Sequence, residues 1–249
     1  MKEYFSFNPE THDYWSIIET IKKYYPMGIE DDTWMCYNKD PSRKSLEEII
    51  VKNIHEESEI KSIWNSLNTD VVKDLNKELI GTTYGQSPSF SAELILEKFE
   101  NEKVWYRKKL CFSISLLGPF YTIYGIDETA INYPERKNYS YYKINAITTS
   151  PLEEFETPFL YLQKKIEEKW EAYKLVPFYI NSMYVKGLKV PQIQQPENTV
   201  YHALFNHLLF YIDTYISVRG KDSYGYERWL VPGAKLGGWT AYPPDSQLE

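Results

Sequence analysis

The sequence is short of the features that mark several classes of protein. Its 249 residues include two cysteines, Cys36 and Cys111, far apart and too few for the disulfide framework of a small secreted scaffold. Both are expected as reduced thiols, with Cys111, set in an apolar run, buried and inert. The opening stretch, Met1 to Asn8, lacks the basic-then-apolar order of a secretory leader. The longest uncharged stretch, 110–126, is interrupted by Gly118-Pro119, and Ser113 and Ser115 alternate with its apolar residues. That pattern is strand, turn and strand rather than a membrane span.

Recognisable chemistry is missing too. There is no G-x-S-x-G elbow, Walker loop or dinucleotide fingerprint. His202 and His207 are five residues apart, about 140° around a helix. A helical zinc pair uses a spacing of four. The paired carboxylates Glu47/Glu48, Glu56/Glu57, Glu153/Glu154 and Glu167/Glu168 are sequence neighbours, which do not face each other on a helix. The expectation is a cytoplasmic protein with no metal, no cofactor and no catalytic residue.

What is present is an acidic balance. Net charge is −7, and residues 1–100 carry 19 acids against 11 bases, while 101–249 carry 16 against 17. Such a surface repels phosphate backbones and suits a basic partner. The 23 tyrosines and seven tryptophans would suit a stacking surface. Lys, Asn, Ile and Tyr can all be written in A/T-only codons, however, and composition accounts for most of the tyrosines.

Hydrophobic spacing predicts an α+β fold in one domain spanning 1–249. A helical part covers 13–80. Tyr14, Ile17, Ile18, Ile21, Tyr24 and Tyr25 form one stripe, with Thr11 or Asp13 as cap and Pro26 to Gly28 as stop. Ser45 to Glu48 reads as a capping box opening a second helix. Ile60, Ile63, Trp64 and Leu67 continue the stripe. A further start at Thr69 or Asp70 leads through Leu75 and Leu79 to a stop at Gly81.

The period then drops to two. Residues 90–149 read as a four-stranded antiparallel meander with one face buried. A pairing in which partner numbers add up to 204 sets Leu94 against Leu110, Ala92 against Phe112 and Glu97 against Arg107. It requires an odd loop between the strands. The mixed part, 157–218, holds a helix from Thr157-Pro158 to Tyr173 that packs on the sheet, a short strand at 178–185, and an apolar segment from Val200 that suits helix first and strand later. A loop-rich tail fills 220–249.

The segments Gly187-Leu-Lys-Val-Pro191 and Thr199-Val-Tyr-His-Ala-Leu-Phe205 resemble stretches of immunity proteins from bacterial polymorphic-toxin and contact-secretion systems. The resemblance implies stoichiometric blocking of a cognate toxin inside the producing cell, and it transfers no functional residue. The expected partner is therefore a protein, a basic toxin domain, with neither nucleic acid nor membrane involved. The candidate contact residues are the acidic clusters of the N-terminal third, Glu30, Asp31 and Asp32 with Trp34 as aromatic anchor, and Glu56, Glu57 and Glu59. An enzyme of another family, or a small-ligand or glycan binder, are the alternative readings.

Overall fold

The computed structural model describes residues 3–28, 41–133, 139–191, 193, 197–207 and 216–234. The α+β architecture is as expected, with helices first, a largely antiparallel sheet, then a helix packed on the sheet and a mixed C-terminal segment. Among the described residues, no helix is long and apolar enough to cross a membrane.

Helix α1 spans Trp15–Tyr24 and buries Ile17, Ile18, Ile21 and Tyr24. Asp13 Oδ1 accepts from Trp15 N at 3.3 Å, so Asp13 serves its N-terminus. Helix α2, Pro41–Ile50, starts before the predicted capping box; Ser45 lies inside it and donates to Pro41 O at 3.3 Å. Proline suits a helix start because its missing N–H is not needed there. A π-helical turn, Val51–His55, follows. Ser58 then caps α3, Glu59–Leu75, accepting from Lys61 N. The predicted restart at Thr69 does not occur. Thr69 donates to Asn65 O at 2.9 Å in mid-helix.

Helix α3 ends on Asn76, whose φ of 49° lies in the left-handed region that asparagine tolerates. The chain is thereby released before Leu79, and Glu78–Gly81 forms strand β1 where the sequence predicts helix. Strands β2 (Ser89–Glu100), β3 (Val104–Ser115), β4 (Phe120–Tyr133) and β5 (Tyr139–Thr148) make the expected meander. After it come a 3₁₀ turn (Glu153–Phe155), helix α4 (Glu156–Lys169) and strand β6 (Lys174–Leu175). The predicted strand at 178–185 is instead helix α5, Phe178–Ser182, with only Tyr184–Val185 extended as β7. Next are β8 (Asn198–Thr199), α6 (Val200–Leu204), β9 (Ser217–Arg219) and a 3₁₀ turn at Tyr226–Trp229. The meander is the centre of a seven-stranded sheet ordered β1-β2-β3-β4-β5-β9, with β6 beside β4; β6 and β9 join it parallel.

Pairing follows the predicted register from Ser89/Ser115 to Ile95/Lys109, including Leu94 with Leu110 and Ala92 with Phe112. It then slips. Leu96 has no partner, Glu97 faces Lys108, and Arg107 faces Lys98 rather than Glu97. This one-residue bulge also shortens the turn, since Asn101 N now donates to Val104 O at 2.9 Å and leaves the even pair Glu102-Lys103 between them.

Both faces of the sheet are covered, rather than one. The face of Leu94, Leu110 and Phe112 packs against Trp64, Leu67 and Val71 of α3 and Phe159, Leu162 and Ile166 of α4. The opposite face carries Tyr124, Ile126 and Ile147 and packs in the cluster that holds α1, Leu46 and Ile50 of α2, α5 and α6. Ser113 and Ser115, which alternate with apolar residues in the sequence, are buried there, as is Ser89. Ser89 donates to Phe205 O at 2.8 Å, and Asn206 Nδ2 donates to Ser113 Oγ at 3.3 Å. Small hydroxyls supply partners for the covering chain, so a polar residue in alternation does not mark a wet face here.

The start of the predicted tail is structural. Trp229 is buried and donates Nε1–H to Leu175 O at 2.8 Å, while Val231 N donates to Thr11 O at 3.0 Å, tying the two ends of the chain together. The tail's remainder, 235–249, lies outside the described residues.

Candidate functional site

Of the predicted contact residues, Glu30, Asp31, Asp32 and Trp34 lie outside the described residues. Glu56, Glu57 and Glu59 are all exposed, at the joint between the π turn and α3. Lys61 crosses this joint, donating to Glu57 Oε1 at 3.1 Å and Glu56 O at 3.2 Å. One of the three carboxylates is therefore already paired with a cation.

The histidines and Cys111 do not converge. His55 Nε2 lies 2.8 Å from Gly85 O, His202 Nδ1 accepts from Thr199 N in a capping box, and His207 meets the Tyr84 ring edge-on. Among the described residues no three His, Cys, Asp or Glu side chains group as metal ligands. Cys111 is a free, buried thiol, and burial pushes its pKa up, as expected of an inert cysteine.

The charged groups that do converge come from two neighbouring lysines of β3. Alternation sends Lys108 and Lys109 to opposite faces of the sheet. On the Tyr124 face, Lys109 Nζ lies 3.0 Å from Glu93 Oε1 and 3.0 Å from Glu128 Oε2. The Lys109 side chain is 12% exposed and that of Glu128 only 3%. Tyr142 donates its hydroxyl to Glu128 Oε2 at 2.7 Å. Burial pulls the Lys109 pKa down, but the carboxylates of Glu93 and Glu128 outweigh it, so the net displacement is upward and the lysine stays charged.

On the Leu94 face, Lys108 sits at a cavity of about 320 Å³. The bulge helps to build it. Glu97 pairs with Lys108 and Leu94 with Leu110, so the leftover Leu96 lets Glu97 come round to the Leu94 face. Leu96 and Glu97 then line the same cavity, where strict alternation would have set them on opposite sides. Leu75 from the end of α3 and Pro158 from the first turn of α4 complete an apolar floor. Lys108 Nζ is 2.7 Å from Glu154 Oε1 but 3.6 Å from Glu97 Oε2, and the Glu97 side chain is 60% exposed. The hydrogen bond to Glu154 raises the Lys108 pKa and, reciprocally, lowers that of Glu154.

Glu154 is delivered by a strained turn. Glu153 has φ of 49°, an uncommon conformation for a residue other than glycine, and its carboxylate pairs with Arg219 of β9. Lys108, Glu97 and Glu154 were not among the residues predicted from sequence. The consecutive lysines in a strand were visible, but their partners arrive through a bulge and from a turn distant in sequence.

The far ends of the two hairpins expose aromatic surface. Phe99, Tyr141 and Tyr142 are each about half exposed, and Trp105 lies 6.0 Å from Tyr142 with the Arg107 guanidinium over its ring at 4.8 Å. No protein-family model, curated protein or solved structure matches this chain.

Proposed function

We propose that this chain is a non-enzymatic cytoplasmic binding protein that neutralises a cognate bacterial toxin by direct contact. The observation that carries this reading is the group of Trp105, Arg107 and Tyr142, which share one sheet face at the hairpin ends, with Tyr142 about half exposed. Tryptophan, tyrosine and arginine are the types that dominate binding energy at protein interfaces, and a grouped exposed aromatic surface is uncommon on a protein with nothing to bind. The acid excess of the whole chain steers a basic toxin domain toward it, with Glu56, Glu57 and Glu59 contributing to encounter more than to the final grip. Arg107, over the Trp105 ring, then meets a carboxylate of that partner.

The test is to recover the partner of the tagged chain from its native host, to express that partner with and without this chain, and to measure the complex by calorimetry. Restored growth and a one-to-one complex are expected. Replacing Trp105, Arg107 and Tyr142 together by alanine should weaken it by about a hundredfold or more, since each such interface residue contributes about 1 kcal/mol or more. Reversing Glu56, Glu57 and Glu59 to lysine should slow association at low salt with little change in dissociation. Absence of both rescue and complex refutes the reading.

A further inference from the structure

The cavity on the Leu94 face goes beyond the protein-binding reading and does not rest on it. We propose that it is a binding site for a small monocarboxylic acid with a compact aliphatic or aromatic body. Its volume, about 320 Å³, is at the small end of ligand pockets. Leu75, Leu96 and Pro158 supply the apolar contact, and Lys108 is the polar group that fixes orientation.

The sign of the ligand follows from how tightly each carboxylate is held. Glu154 is bound at 2.7 Å by Lys108, with Arg219 Nη1 a further 3.9 Å neighbour, so a ligand cation would have to compete with two resident ones. Glu97 is the loose partner, at 3.6 Å and largely in solvent. Swinging it into water frees one side of the Lys108 ammonium at little cost, because exposed ion pairs contribute little. An incoming carboxylate takes that place, with its apolar body on the leucines. Lys77, also at the cavity, adds a second positive charge near the entering anion. The local charge is thus restored by a ligand of one negative charge and made worse by an amine.

The experiment uses the full chain with benzoate, hexanoate, hexanamide and hexylamine as probes, followed by amide-resolved NMR titration. The two acids are expected to saturate in the millimolar range and to shift residues around Leu96 and Thr157. The amide and the amine should bind about tenfold more weakly or worse, the loss expected for an unmade charged hydrogen bond. Lys108→Met should abolish acid binding, whereas Lys108→Arg should keep it. Glu97→Gln should tighten it several-fold by removing the internal competitor. Should Lys108→Met fail to fold, the Glu97→Gln and Lys108→Arg titrations decide the matter alone. Equal binding of hexylamine, weaker acid binding in Glu97→Gln, or no saturation by either acid up to about 20 mM would each overturn the assignment.

Discussion

Lys108 and Lys109 are neighbours in the chain, and each stands between two glutamates, yet they do different work. Lys109 is enclosed: both carboxylates hold it at 3.0 Å, and a tyrosine hydroxyl completes the shell on Glu128. Lys108 has one close carboxylate and one loose one, the Tyr106 hydroxyl as a further hydrogen-bond partner, and a cavity beside it. The same trio of one lysine and two glutamates makes a structural clamp on one face of a strand and an open site on the other. What separates them is solvent, which screens the second trio and leaves a position that a ligand can occupy.

The largest expected effect is therefore on stability. Lys109→Met leaves two facing carboxylates in a poorly hydrated place and should cost about 3–5 kcal/mol in urea unfolding. Lys108→Met should cost about 1 kcal/mol or less. Equal losses would break the comparison. Next in size is Gly125→Ala on β4, where an added Cβ would lie 2.6 Å from the Phe155 ring. Overpacking there should cost about 1–3 kcal/mol. Because Phe155 follows Glu154, the same change should also disturb the Lys108 trio, seen as altered shifts at Glu154, and leave Glu93 and Glu128 unmoved.

The fold was legible where periodicity alone decides. The stripes of α1 and α4 and the alternation of β2 and β3 predict their partners directly, and Leu94 does meet Leu110. The register became illegible at Leu96 for a specific reason: Glu97 finds a cation opposite it whether it faces Arg107 or Lys108, so charge matching does not reveal the slip. Strand β1 was hidden because Leu75 and Leu79 keep helical spacing across Asn76, where the helix in fact stops. Trp229 gave no sign of its burial, since it sits among glycine and proline and is held by contacts with chain distant in sequence. The acidic joint at Glu56 to Glu59 was readable as exposed surface. The cavity was not, because it depends on the bulge and on the turn at Glu153.

A smaller effect concerns that turn. Glu153→Gly relieves a left-handed backbone cost of about 1–2 kcal/mol but loses about 0.5–1 kcal/mol in chain entropy and the pairing with Arg219. A change within about 1 kcal/mol of zero is expected in the melting curve. The smallest effect is in titration. The Glu154 pKa is lowered, first by the Lys108 hydrogen bond, so this carboxylate favours the folded state above the ordinary glutamate pKa. That contribution fades as pH falls through its own lower value. A carboxyl NMR titration should place Glu154 below its ordinary range, and Lys108→Met should return it toward that range.

Lys109 is locked between two carboxylates at 3.0 Å, whereas the loose pairing with Glu97 leaves Lys108 open to the proposed ligand. This difference is tested most directly by following the two lysine ammonium signals by NMR during a benzoate titration of the intact chain. The Lys108 signal is expected to move to saturation while the Lys109 signal stays still. A still Lys108, or two lysines that move together, would contradict it.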